Sequence, residues 1–207
     1  MSEVVVSRES GVRSKKVILA SGSAARAGML HGAGLTFEVI PADVDEGAVQ
    51  GDAGKTPFEI AAELAQLKAL AVSAQRTDAL VIGGDQVLAF EGEIFSKSSN
   101  AQEAKGKLAR LSGKMHSLIS SVALARGDEI IWAYTDEARL YMHDLGPDFL
   151  DDYIAKAGIA LTRAVGGYEL ESHGSWLFER IEGDYFTVLG MPLLPLLARL
   201  REEGISL

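Results

Sequence analysis

The chain of 207 residues contains no cysteine. That single absence removes disulfides, thiolate nucleophiles and Cys-ligated zinc together, and it fits a reducing cytoplasm. Only five residues are proline, and no stretch is rich enough in Pro or Gly to act as a linker. Long apolar runs are missing too: the longest, Met191 to Leu197, is too short for a bilayer and contains Pro192 and Pro195. Positive charge is scarce, with 20 Lys+Arg against 29 Asp+Glu and a formal net charge of −9. A binder of polymeric nucleic acid needs cations to neutralise phosphates, so that class is disfavoured, as is a membrane partner. No His-Glu-x-x-His pair or Gly-x-Ser-x-Gly elbow occurs.

What is present is ordinary globular composition, 47% hydrophobic and 24% charged, enough for an ample core. Residues 1–16 read as a loose tail: Val4–Val6 is too short for a signal-peptide core, and the basic residues follow it. Residues 17–207 read as one domain. Val17–Ala20, then Ser21-Gly22-Ser23, then Ala24 to about Gly34, form a strand, turn and helix, with Ser23 as N-cap. Thr56-Pro57-Phe58-Glu59 is a capping box opening a helix to about Ser73. Leu80–Gly83 is a buried strand, and Val87–Phe90 with Glu93–Phe95 is a hairpin. Asn100–Leu111, Pro147–Lys156 and Pro192–Glu203 are helical; Leu118–Ala125, Ile130–Tyr134 and Ala138–Met142 are strands. Trp176–Ile181 and Phe186–Leu189 flank a turn at Glu182-Gly183-Asp184. The mixture indicates α/β or α+β with a mixed sheet.

Several residues stand out chemically. Lys68 sits on or beside the apolar stripe of its helix, either snorkelling along the core edge or meeting an anion in a cleft. Ser21-Gly22-Ser23 before a helix either makes a turn and cap, or receives a phosphate with Arg26 one turn inside. Asp85 follows two glycines and reads as a carboxylate at the end of a buried strand, or as a turn aspartate. Gln86 offers a neutral donor and acceptor suited to a base edge. Lys97 and the Asp43, Asp45, Glu46 cluster complete a set that suits a polyphosphate bridged by a hard metal ion. His31, His116, His143 and His173 read as surface or turn residues, and Trp132 and Trp176 as core.

These features fall in one recognisable order. VILASGSAAR resembles the opening Ala-Ser-x-Ser-Pro-Arg-Arg motif of the Maf nucleoside triphosphate pyrophosphatases, and GGDQV their Gly-x-Asp-(Thr/Gln)-Val motif. LAQLKA, Asp45-Glu46, LARLSGKMH and LFERIEGDYFTVLGMPL match further segments, so the resemblance runs from about Val17 to the C-terminus. It implies an α/β fold, a mixed sheet with flanking helices and two lobes around a nucleotide cleft. It also implies hydrolysis of a nucleoside triphosphate at the α–β anhydride with Mg²⁺, Mn²⁺ or Co²⁺. Carried over, Asp85 is the proton acceptor; Ser21, Arg26, Lys68 and Lys97 hold the triphosphate; Glu46 and Asp85 hold the metal. Gln86 and Glu171 resemble the branch acting on 7-methyl-GTP, and Ala25, where the family has its first arginine, widens the pocket. Ala24 and Ser98 stand where the family has prolines. The same resemblance leaves open a UTP-, CTP- or dTTP-preferring enzyme, or a nucleotide-binding regulator of septum formation, and it is compatible with a cytoplasmic homodimer.

Overall fold

The computed structural model describes residues 16–205. The expected tail therefore lies outside the described residues, except Lys16, which begins the first strand. Seven strands form one mixed sheet: β1 (Lys16–Leu19), β2 (Glu38–Val39), β3 (Ala79–Phe90), β4 (Glu93–Phe95), β5 (Met115–Arg126), β6 (Glu129–Met142) and β7 (Phe178–Glu182). Their order is β2-β1-β3-β5-β6-β7, with β4 also paired to β3. β1 runs parallel to β2 and β3, and all the other pairs are antiparallel.

Helices flank the sheet: α1 (Ala24–Gly32), α2 (Glu46–Gln50), α3 (Pro57–Ser73), α4 (Ala101–Leu111), α5 (Pro147–Ala157), α6 (Ala160–Arg163), α7 (Tyr185–Val188) and α8 (Leu193–Glu202). Local chemistry sets their starts as expected. Ser23 Oγ accepts from the Arg26 N–H, and at α3 both halves of the Thr56–Glu59 capping box are formed. Asn100 caps α4 through its side chain, which accepts from the Glu103 N–H. No helix of the described residues is long and apolar enough to cross a membrane.

Four expectations need correcting. The strand expected to stop at Gly83 continues to Phe90, so Asp85 lies in mid-strand rather than at a strand end. Gly83 is there because α3 presses on it: a Cβ would lie 2.1 Å from the Ala65 carbonyl oxygen, whereas a Cβ on Gly84 would meet the Arg26 side chain on the opposite face. Ile130–Tyr134 and Ala138–Met142 are likewise one strand, β6. Trp176 is not core but sits in a short 3₁₀ turn, 73% exposed, and Phe186–Leu189 falls largely in α7, wound by the Asp184 cap.

Alternation along β3 gives each face its partner. Val81, Gly83 and Val87 meet α3, whereas Leu80, Ile82 and Gly84 meet α1 and α8. The apolar core also divides along the strand. Leu80 and Ile82 join a cluster with Leu30, Leu196 and Leu200, whereas Leu88 and Phe90 join one with Leu108, Leu140 and Tyr168. Between these two cores lie Asp85 and Gln86, paired in register with Ser121 and Ser120 of β5. Polar residues thus occupy the boundary where the two lobes meet.

Candidate active site

The cleft follows from the strand pairing. One edge of β3 is covered by β5 over Val81–Ala89. Its other edge pairs with β1 only as far as Ile82, and with β4 only from Leu88. Among the described residues, the interval from Gly83 to Val87 has no neighbouring strand on that side. A cavity of about 780 Å³ opens there, lined by the chain leaving β1, the chain leaving β4, α3, and the segment before the 3₁₀ turn. Its volume suits a nucleotide-sized ligand.

Asp85 lies on the floor, 5% exposed. Its Oδ1 accepts from Lys68 Nζ at 2.7 Å, and the same ammonium meets a Glu46 carboxylate oxygen at 2.6 Å. Asp85 Oδ2 is buried without a hydrogen-bond partner among the described residues. Burial pushes the Asp85 carboxyl above the usual range, against the pull of Lys68 and Arg26. Lys68 therefore does more than snorkel: its ammonium is buried between two carboxylates. Gly83 makes this possible, since it lets α3 approach β3 closely enough for Lys68 to reach Asp85.

Arg26 is buried beside them. Its Nε donates to the Gly190 carbonyl at 2.8 Å and its Nη1 to Ser21 Oγ at 3.1 Å. Burial draws its pKa down, opposed by Asp85 and Glu46. Lys97 lines the same cavity from the exit of β4, exposed and without an ion pair to any described residue. Arg26, Lys68 and Lys97 thus converge on one space with Asp85. Preorganised cations in a recess are what a polyphosphate requires.

The acidic cluster is split. Glu46 lines the cavity, but Asp45 caps α2 through the Ala48 N–H at 3.1 Å, and Asp43 is exposed. No group of three or more His, Asp or Glu among the described residues would hold a metal on its own. Two carboxylates sharing one ammonium, with an unpartnered Asp85 oxygen, fit a hard ion that takes its remaining ligands from phosphate oxygens and water.

Ala25 and Glu171 both line the cavity, Glu171 exposed and without a cationic partner among the described residues. Gln86 lines it as well, but its amide nitrogen is held by Ser120 Oγ and by the backbone carbonyls of Thr187 and Val188. The Ser98 hydroxyl is buried without a hydrogen-bond partner among the described residues.

Sequence reasoning missed Arg163, Glu169, Tyr168 and Gly190, all of which line the cavity. Arg163 Nε donates to Glu169 Oε1 at 2.9 Å, so Glu169 is neutralised where Glu171 is not. His116 is also corrected. Far from being a surface or turn residue, it is buried with Nε2 2.6 Å from Tyr168 Oη, and desolvation pulls its pKa down to about 4. The spacing of His116 from Tyr168 in sequence carries no signal of that contact.

A protein of Mesorhizobium japonicum named 7-methyl-GTP pyrophosphatase is 45% identical over 193 residues, covering 92% of this chain and 97% of its own. One from Maricaulis maris named nucleoside triphosphate pyrophosphatase is 43% identical over 191 residues, with coverage of 92% and 97%. Among solved structures, a nucleoside-triphosphatase / dITP/XTP pyrophosphatase from Mycobacterium abscessus aligns over 91% of this chain and 95% of its own, at 14% identity and a TM-score of 0.43. The family profile described as Maf-like protein matches residues 16–203, nearly all the described chain, and with relatives this similar over their full length the protein belongs to the Maf family.

Proposed function

We propose that the protein hydrolyses a nucleoside triphosphate at its α–β phosphoanhydride, releasing nucleoside monophosphate and pyrophosphate, and that it acts on modified nucleotides such as 7-methyl-GTP within the cytoplasmic pool. The observation that carries this reading is the buried, unpartnered Oδ2 of Asp85 at the focus of Arg26, Lys68 and Lys97.

The triphosphate lies along the unpaired edge of β3. Lys97 and Lys68 neutralise its charge, and Arg26, fixed by Gly190 and Ser21, does so from the α1 side. Asp85 orients a water and takes its proton as the water oxygen bonds to the α-phosphorus; the bond from that phosphorus to the bridging oxygen breaks, and pyrophosphate leaves with the electron pair. Glu46 and Asp85 would hold a divalent ion (Mg²⁺, Mn²⁺ or Co²⁺), which supplies charge neutralisation on the phosphates. At the base end, Glu171 accepts from the N1–H and N2–H₂ edge of guanine and opposes the positive charge of its 7-methyl form, with Ala25 leaving room beside it.

A panel of 7-methyl-GTP, GTP, UTP, CTP and dTTP with Mg²⁺, followed by pyrophosphate release, tests this. The highest kcat/KM is expected for 7-methyl-GTP. Binding without pyrophosphate from any member would overturn the hydrolytic reading.

A further inference from the structure

Three charged side chains that line the cavity come from one short stretch of chain: Arg163 at the end of α6, and Glu169 and Glu171 in the turn before the 3₁₀ helix. Backbone chemistry holds that turn. The Ser172 N–H donates to the Glu169 carbonyl at 3.1 Å, and Ser175 Oγ donates to the Ser172 carbonyl at 2.9 Å. Gly174 packs so closely that a Cβ on it would lie 2.4 Å from the Glu169 carbonyl oxygen. Upstream, the Tyr153 hydroxyl donates to the Gly167 carbonyl at 3.1 Å. Both carboxylates are therefore carried on a fixed backbone.

The two differ in their company. Arg163 donates from Nε and Nη2 to the same oxygen, Glu169 Oε1, so these two charges cancel. Glu171 is exposed and has no cationic partner among the described residues. Arg26 and Lys68 are held elsewhere, Arg26 on Gly190 and Ser21, Lys68 on Glu46 and Asp85. One cation and two anions leave this stretch with a single uncompensated negative charge. Such a charge in a recess favours a ligand group of opposite sign over a neutral one of the same shape.

We infer that Glu169 is a specificity-determining residue: by neutralising Arg163 it leaves Glu171 uncompensated, so the site selects a nucleotide whose base is cationic rather than one that merely carries a methyl group. The inference rests on the reading above and deepens it, since it names the property of the base that the cavity recognises. The substrate class is then that of N-alkylated bases with a fixed positive charge.

Monophosphates test this by calorimetry, because their binding needs no turnover. Three are compared: GMP, 7-methyl-GMP, and 7-deaza-7-methyl-GMP, which keeps the methyl group on a neutral base. The wild type should bind 7-methyl-GMP about tenfold more tightly than either of the others. Glu169→Gln should abolish most of that advantage, and Arg163→Met should enlarge it. The double variant Arg163→Met with Glu169→Gln restores the net charge and should return the advantage to within about twofold of wild type. Added KCl should narrow the gap between 7-methyl-GMP and GMP, because partly exposed charges are screened. Equal wild-type affinity for 7-methyl-GMP and its deaza analogue would overturn the inference. So would a common loss of affinity for all three ligands in the variants, which is what a pair that merely ties α6 to the turn would give. If Glu169→Gln does not fold, Arg163→Met decides alone: an unchanged ratio overturns the inference. A wild type that selects 7-methyl-GMP but releases no pyrophosphate from any triphosphate would sink the hydrolytic reading and leave this one standing.

Discussion

The Lys68 ammonium donates to Asp85 Oδ1 at 2.7 Å, with both side chains at least nine-tenths buried. Removing the cation alone leaves a desolvated carboxylate, so Lys68→Met should destabilise the fold by about 3 kcal/mol. Adding Asp85→Asn removes the stranded charge. The double variant should therefore recover part of that loss, with a coupling above about 1 kcal/mol in urea titrations. Strict additivity would mean the two groups do not interact.

The adjacent glycines should fail in different ways. A methyl at Gly83 meets the Ala65 carbonyl and the Ala69 backbone nitrogen, which cannot yield, so Gly83→Ala should cost about 3 kcal/mol and part Lys68 from Asp85. A methyl at Gly84 meets the Arg26 side chain at 3.2 Å and the Ser121 carbonyl oxygen at an ordinary 3.5 Å. Gly84→Ala should fold with a near-normal melting temperature yet bind triphosphate more weakly. Equal melting losses for the two would contradict this packing.

His116 supplies the pH dependence. Its pKa falls from an unfolded value of 6.5 to about 4 because burial disfavours the imidazolium. Between these values the unfolded chain binds more protons, so stability is full above pH 6.5 and declines as pH falls toward 4, by about 3 kcal/mol from this residue. His116→Gln should flatten that decline in denaturant midpoints measured from pH 7 to pH 4.

Charge at the base end should set preference. Glu171→Gln should lower the ratio of kcat/KM for 7-methyl-GTP over GTP about tenfold, because a neutral amide no longer opposes the methylated base. Arg163→Ala frees the Glu169 carboxylate and should move the ratio the other way. If both variants leave the ratio alone, the base lies elsewhere.

How far the sequence foretold this arrangement depended on distance along the chain. The Thr56–Glu59 capping box and the Glu91-Gly92 hairpin turn are local chemistry and formed as expected. Lys68 was conspicuous as a cation against an apolar stripe. That Asp85 sits in mid-strand was hidden, because it depends on where β1 stops pairing and β4 starts. Gln86 finds its carbonyls on Thr187 and Val188, and His116 finds Tyr168. Such partners, drawn from distant segments, leave no periodicity to read. Exposed Trp176 misled because an aromatic beside Leu177 reads as a strand, whereas the chain there turns as a 3₁₀ helix.

The most direct measurement is pyrophosphate release by Asp85→Asn at saturating 7-methyl-GTP and Mg²⁺, with tripolyphosphate binding as a control for an intact site. Loss of the proton acceptor should lower kcat by about 10²–10⁴ while tripolyphosphate still binds. Turnover at the wild-type rate would show that another group accepts the proton.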